Sequence, residues 1–148
     1  MSTLSIATSG LSAASLRLDV TVSNVANALT TGPLPAGYGS KTSGGAGNSN
    51  GSSGLSAYVP LQVNQVDQAS GSTAGGTSAT VSAVSPSFVP QYDPSSPFAN
   101  QDGLVAAPNV DLATQFVQLL TAKYSFAANA KVIQTYADMT KSLLDIKA

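Results

Sequence analysis

No histidine, cysteine, tryptophan or glutamate occurs in these 148 residues, and charged side chains make up only 9% of them. That removes an imidazole titrating near neutrality, a thiolate, the usual zinc ligands and any acid–base pair built on glutamate. Seven aspartates are the only acids, and "DG" at Asp102-Gly103 reads as a turn, because nothing around it resembles a carboxylate dyad. No catalytic, cofactor-binding or metal-ligating residue is therefore expected. The net charge of −1, with six Lys and Arg scattered along the chain, gives no footprint for nucleic acid or an anionic membrane surface. No apolar run approaches the ~20 residues that span a bilayer. The N-terminal stretch "MSTLSIATSGLSAASLRLDV" lacks a basic region followed by an unbroken apolar one, so no cleaved secretory signal is expected. The missing cysteines fit the cytosol and fit equally an exported protein that needs no disulfide.

What is present divides into four segments. Over residues 1–32, Leu4, Leu11, Leu18 and Val25 recur every seven positions, each followed three residues later by Ala7, Ala14, Thr21 and Ala28. This is a heptad stripe that alternates large with small residues, and the small ones let a partner helix approach closely. Gly10 and the many Ser, Thr, Val and Asn residues make the segment a poor helix alone, so its helicity must come from a partner. Residues 33–54, dominated by Gly, Ser, Pro and Asn, read as a flexible loop. Their glycines lack the Gly-Lys-Ser/Thr ending of a phosphate loop, and the sequon at Asn50 arises easily in such a composition.

Residues 55–108 form a β-rich and extended middle. "AYVPLQVNQV" and "SATVSAVSPSFV" alternate apolar and polar residues and read as short strands. "PQYDPSSPFANQDGLVAAPNV", with prolines at 90, 94, 97 and 108, reads as an extended, turn-rich connection. Residues 109–148 contain neither Pro nor Gly and predict one long helix with a row at Leu112, Leu119, Phe126 and Ile133. Phe116, Leu120, Ala130, Tyr136, Ala137, Leu143 and Leu144 flank that row. Asn109 is the expected N-cap, with Asp111 in the first turn and Lys141 and Lys147 near the carboxyl end. The aromatic residues on this helix suit packing better than a ligand pocket. The expected architecture is mainly α with a small β-rich middle, its two long terminal helices packed as in a coiled coil with their apolar stripes facing either each other or neighbouring molecules.

Asn24 and Asn27, three apart near the end of the first helix, admit two roles. They can cap the C-terminus, or they can set register, as a buried amide that must find a specific partner when helices assemble.

The segment around them, "SNVANALTTG", resembles the N-terminal signature of the flagellar axial proteins, the rod and hook family. That signature reads Ser-Asn-hydrophobic-Ala-Asn-Ala, a polar residue, Thr, Pro and Gly. Ser23, Asn24, Ala26, Asn27, Ala28, Thr30 and Gly32 match it, while Leu29 replaces the polar residue and Thr31 the proline. The stretch "YDPSSPFANQDGLVAAPNVDLATQFVQLLTAKYSFAANAKVI" is similar to the C-terminal half of the short proximal-rod members, whose Ser-Tyr-x-Ala-Asn motif appears here as Ser125-Phe126-Ala127-Ala128-Asn129.

The resemblance implies a structural subunit exported by the flagellar type III apparatus without a cleaved signal peptide, and polymerised into the periplasmic proximal rod of the basal body. The implied partners are further copies of itself, other rod proteins, MS-ring and adaptor proteins, the rod cap and the export apparatus. The alternative is another axial protein or a non-flagellar exported filament subunit. The expected assembly interface comprises Leu4, Leu11, Leu18, Asn24, Val25 and Asn27 on the first helix. On the second it comprises Leu112, Phe116, Leu119, Phe126, Asn129, Ile133, Tyr136 and Leu143.

Overall fold

The computed structural model describes residues 3–35, 56–68 and 75–147. Most of the loop expected over 33–54, and much of the Gly/Ser-rich "QASGSTAGGT" stretch between the first two strand-like segments, lie outside the described residues. The element order is α1 (Thr3–Ala26), β1 (Leu61–Asp67), β2 (Thr77–Ala83), β3 (Phe88–Tyr92), β4 (Leu104–Pro108) and α2 (Leu112–Lys147). Two long helices thus flank a small β middle, in agreement with the expected class. The elements fall into two compact units, one of residues 1–25, 61–82 and 111–148, the other of residues 26–60 and 83–110.

In the first unit, α1 carries its Ser and Thr residues by turning their hydroxyls onto its own carbonyls. Thr8 Oγ1 donates to Leu4 O at 2.7 Å, Ser12 Oγ to Thr8 O at 3.1 Å and Thr21 Oγ1 to Arg17 O at 2.7 Å. Thr21 can therefore be fully buried without an unsatisfied hydroxyl. The strands β1 and β2 form a two-stranded sheet, tied near one end by Gln68 N donating to Gly76 O at 3.0 Å and near the other by Asn64 Nδ2 donating to Ser82 Oγ at 2.8 Å.

The start of α2 differs from the sequence expectation. Asp111 is the capping residue: its Oδ1 accepts from Ala113 N at 3.0 Å and its Oδ2 from Thr114 Oγ1 at 2.6 Å. Those bonds, the Thr114 hydroxyl first, hold the Asp111 carboxyl below its ordinary value. Asn109 instead donates Nδ2 to Pro86 O at 3.0 Å and its backbone N–H to Ser87 O at 3.0 Å, which fastens the end of β4 to the start of β3.

In the second unit the proline-rich segment is more regular than its composition suggests. The strands β3 and β4 pair antiparallel, with Phe88 opposite Pro108, Pro90 opposite Ala106 and Tyr92 opposite Leu104. Residues 93–103 close the hairpin as a loop held by its own side chains. Asp93 Oδ1 accepts from Ser95 N and Oγ, while Asn100 Oδ1 accepts from Asp102 N and Leu104 N. Gly103 has φ +73°, and a Cβ there would come within 2.9 Å of the Tyr92 ring, so glycine is required on both counts. Asp102-Gly103 is the turn that the sequence suggested. The centre of the unit is β4, where Val105, Ala106 and Ala107 are buried. Its second edge is occupied by Gly32, whose N–H and C=O exchange two 2.9 Å bonds with Ala106.

Candidate assembly interface

The helices of the first unit run antiparallel and keep register over a long stretch. Asn24 Nδ2 donates to Gln115 Oε1 at 3.1 Å, and a Cβ built on Gly10 would sit 2.8 Å from the Asn129 side-chain amide. Fourteen residues separate Asn24 from Gly10 and fourteen separate Gln115 from Asn129, so the two heptad patterns advance in step. The absence of a side chain at Gly10 is what admits Asn129, whose Nδ2 donates to Ser125 O at 2.9 Å.

This face is built from small and polar residues. On α1 the buried positions are Ala7, Ala13, Ala14, Val20, Thr21 and Asn24. On α2 the matching row is Gln115, Ala122 and Asn129, with Ala122 only 1% exposed. The large row expected to be the contact row lies on its shoulder. Leu4 and Leu18 are exposed, and Leu11 and Val25 half-buried. Leu112 and Phe126 are exposed, while Leu119 and Ile133 are half-buried. Small residues bring the helix axes close, and that leaves no room between them for leucine and phenylalanine.

The large apolar side chains of α2 consequently face outward. Phe116, Val117, Leu120, Tyr124, Tyr136 and Met139 are all exposed. The exposure is greatest at the carboxyl end, with Leu143 at 68% and Ile146 at 82%. If the helix register continues, Thr3 stands level with residue 136, and α2 extends past it by about ten residues, on the order of 15 Å. At that point Leu4, Ile133, Tyr136, Ala137, Thr140, Lys141 and Leu144 line an open groove. Among the described residues, no helix is long and apolar enough to cross a membrane.

Asn24 behaves differently from its expected neighbours. It is 1% exposed and bonded within its own chain: its Oδ1 accepts from Leu61 N at 3.0 Å, and its Nδ2 donates to Leu61 O at 2.7 Å as well as to Gln115. It is not a helix cap. Asn27 is half-buried, and its carbonyl accepts from Thr30 N at 3.0 Å in the turn that ends α1. Gly32, the last residue of the signature, could not carry a side chain, because a Cβ would lie 2.4 Å from Ala57 N.

Sequence reasoning missed Gly10, Gln115 and Ala122. The signal that could have found them is the seven-residue spacing of Gln115, Ala122 and Asn129, passed over because two of the three are polar. Among the described residues, no group of three or more His, Cys, Asp or Glu is placed to hold a metal ion.

Comparison with known proteins identifies the lineage of this arrangement. The family described as "Flagella basal body rod protein" matches residues 4–33, and "Flagellar basal body rod FlgEFG protein C-terminal" matches residues 101–146. The chain is 34% identical over 145 residues to the flagellar basal-body rod protein FlgC of Salmonella typhimurium (strain LT2), covering 95% of this chain and 92% of that protein. It is 31% identical to the FlgC proteins of Agrobacterium fabrum and Bacillus subtilis, with 95% and 97% of this chain and 90% and 95% of theirs aligned. The first family match covers α1 and the turn after it, the second covers β4 and α2, and the agreement with the relatives extends along nearly the whole chain: it belongs to the FlgC family and is a structural subunit of the flagellar basal-body rod.

Proposed function

We propose that the subunit polymerises through the outward faces of α1 and α2 into the helical shaft of the proximal rod, which transmits motor torque. The supporting observation is the inverted polarity of α2, whose small and polar residues face α1 while Phe116, Leu120, Tyr124, Leu143 and Ile146 face out. Burying a Leu, Ile or Phe side chain contributes roughly 1.5–3 kcal/mol, so this face leaves a large term for neighbouring subunits to recover. A contact between different faces of successive copies does not close on itself and generates a helical filament. The role is mechanical and assigns no catalysis to the chain.

Further copies of the chain, other rod proteins, the MS ring with its adaptor and the rod cap are the proposed neighbours, with the periplasm as the site and the type III apparatus as the route. The test is to express Leu143→Asp and Ile146→Asp subunits in a strain lacking the native one. Export and monomer circular dichroism should match wild type while rods fail to complete. Complete rods in basal-body images of both variants would exclude this face.

A further inference from the structure

The rod signature from Ser23 to Gly32 contributes to both compact units, and it does so twice by the same geometry. Among the described residues each unit contains a two-stranded sheet, so each strand has one edge that its sheet partner does not cover. In antiparallel sheets a residue on such an edge is satisfied when one opposing residue both donates to it and accepts from it. At β1 this is done by a side chain: the carboxamide of Asn24 accepts from Leu61 N at 3.0 Å and donates to Leu61 O at 2.7 Å. At β4 it is done by the backbone: Gly32 N donates to Ala106 O and Ala106 N donates to Gly32 O, both at 2.9 Å. Each site is closed off from water, with Asn24 1% exposed and Ala106 1% exposed.

We infer that the signature is a pair of strand surrogates, in which Asn24 closes the sheet of the helix-bearing unit and Gly32 closes the sheet of the other, each within one subunit before assembly. The chemistry at each point is restrictive. A carboxamide is the side group that copies both the donor and the acceptor of a peptide, and its second N–H is used on Gln115. At Gly32 the surrogate is a peptide itself, pressed so near Ala57 that no Cβ fits. The assignment concerns the free chain and does not depend on which face polymerises.

Amide hydrogen exchange on dilute, purified full-length monomer tests it, with Leu61 and Ala106 as reporters. Asn24→Ala should speed exchange at Leu61 roughly ten- to a hundredfold and leave Ala106 protected. Asn24→Asp, which keeps the acceptor for Leu61 N–H but loses both donors, should fall between wild type and alanine. Gly32→Ala should have the opposite selectivity, releasing Ala106 and sparing Leu61. Unchanged Leu61 exchange in Asn24→Ala overturns the proposal. So does a joint rise at both amides in every variant, which would make the two sites one cooperative core. Protection at Leu61 that appears only as protein concentration is raised would place the Asn24 partner on another subunit and overturn it as well.

Discussion

A glycine inside a helix weakens it by about 1 kcal/mol relative to alanine, and Gly10 lies well inside α1. Its compensation is the approach of Asn129, whose amide occupies the space a Cβ would need. Gly10→Ala alone should therefore be close to neutral, the gain in helix propensity being offset by displacement of the Asn129 bond to Ser125. In the Gly10→Ala/Asn129→Ala pair that conflict is gone. A double-mutant cycle by urea unfolding should show a favourable coupling of about 1 kcal/mol, and additivity within ~0.5 kcal/mol would exclude the contact. Asp111 offers a pH test at the same scale. Its folded-state carboxyl is held below its ordinary value by Thr114 and Ala113. Its stabilisation is thus present above that ordinary value, near 3.8, and is lost as pH falls through the lower folded-state value. The melting-temperature difference between wild type and Asp111→Ala should be constant near neutrality and shrink below about pH 4. A difference that persists unchanged into strong acid would mean that the carboxylate is not the capping group.

At the scale of elements, β3 shows how a strand can tolerate proline. Residues 87, 93 and 109 take part in the bonds between the two strands, through Asn109 N to Ser87 O and Asp93 N to Gly103 O. Alternation then turns Pro90 away from β4, and its partner Ala106 bonds Gly32 on the far side. Proline at that outward register has no N–H to offer an incoming strand, which blunts the edge of the hairpin. Pro90→Thr should leave the melting temperature little changed and raise concentration-dependent association in light scattering; no increase would mean the edge is protected by other means. The same proline explains why this hairpin was illegible in the sequence. Pro90 and Pro108 read as breakers because the outward register that accommodates them is a tertiary fact. The helices were legible because seven-residue spacing needs no tertiary knowledge. Their inner face was not: the sequence reading weighs the large residues Leu112, Leu119 and Phe126, whereas the face of α2 toward α1 runs through half-buried Gln115, buried Ala122 and half-buried Asn129. Asn24 and Asn27 are the residues whose amides the sequence singles out, and the partner of Asn24 is a strand backbone of the same chain as well as a helix side chain.

For the whole molecule the decisive distinction is between surface that folds the subunit and the surface proposed for assembly, and the exposure of α2 changes along its length accordingly. The part that pairs with α1 runs from Gln115, opposite Asn24, to Asn129, opposite Gly10, and on to Ile133 and Tyr136 beside Leu4. Beyond about residue 137 the helix has no counterpart on α1, yet it carries Met139, Leu143, Leu144 and Ile146, all exposed. An isolated helical extension of that length is marginal in water, so these residues contribute little to the fold of the single chain. Ending the chain after Ala137 should therefore leave the urea midpoint of the monomer nearly unchanged and reduce helical circular dichroism only by the share of the missing turns. The same truncation in cells should abolish motility, with basal bodies that lack a completed rod. The opposite pattern is expected of Ala122→Asp, which inserts a charge where exposure is 1%: an unpaired buried charge should unfold the monomer itself. A truncated chain that unfolds would make the extension part of the subunit core, and a motile strain carrying it would remove the extension from the assembly surface.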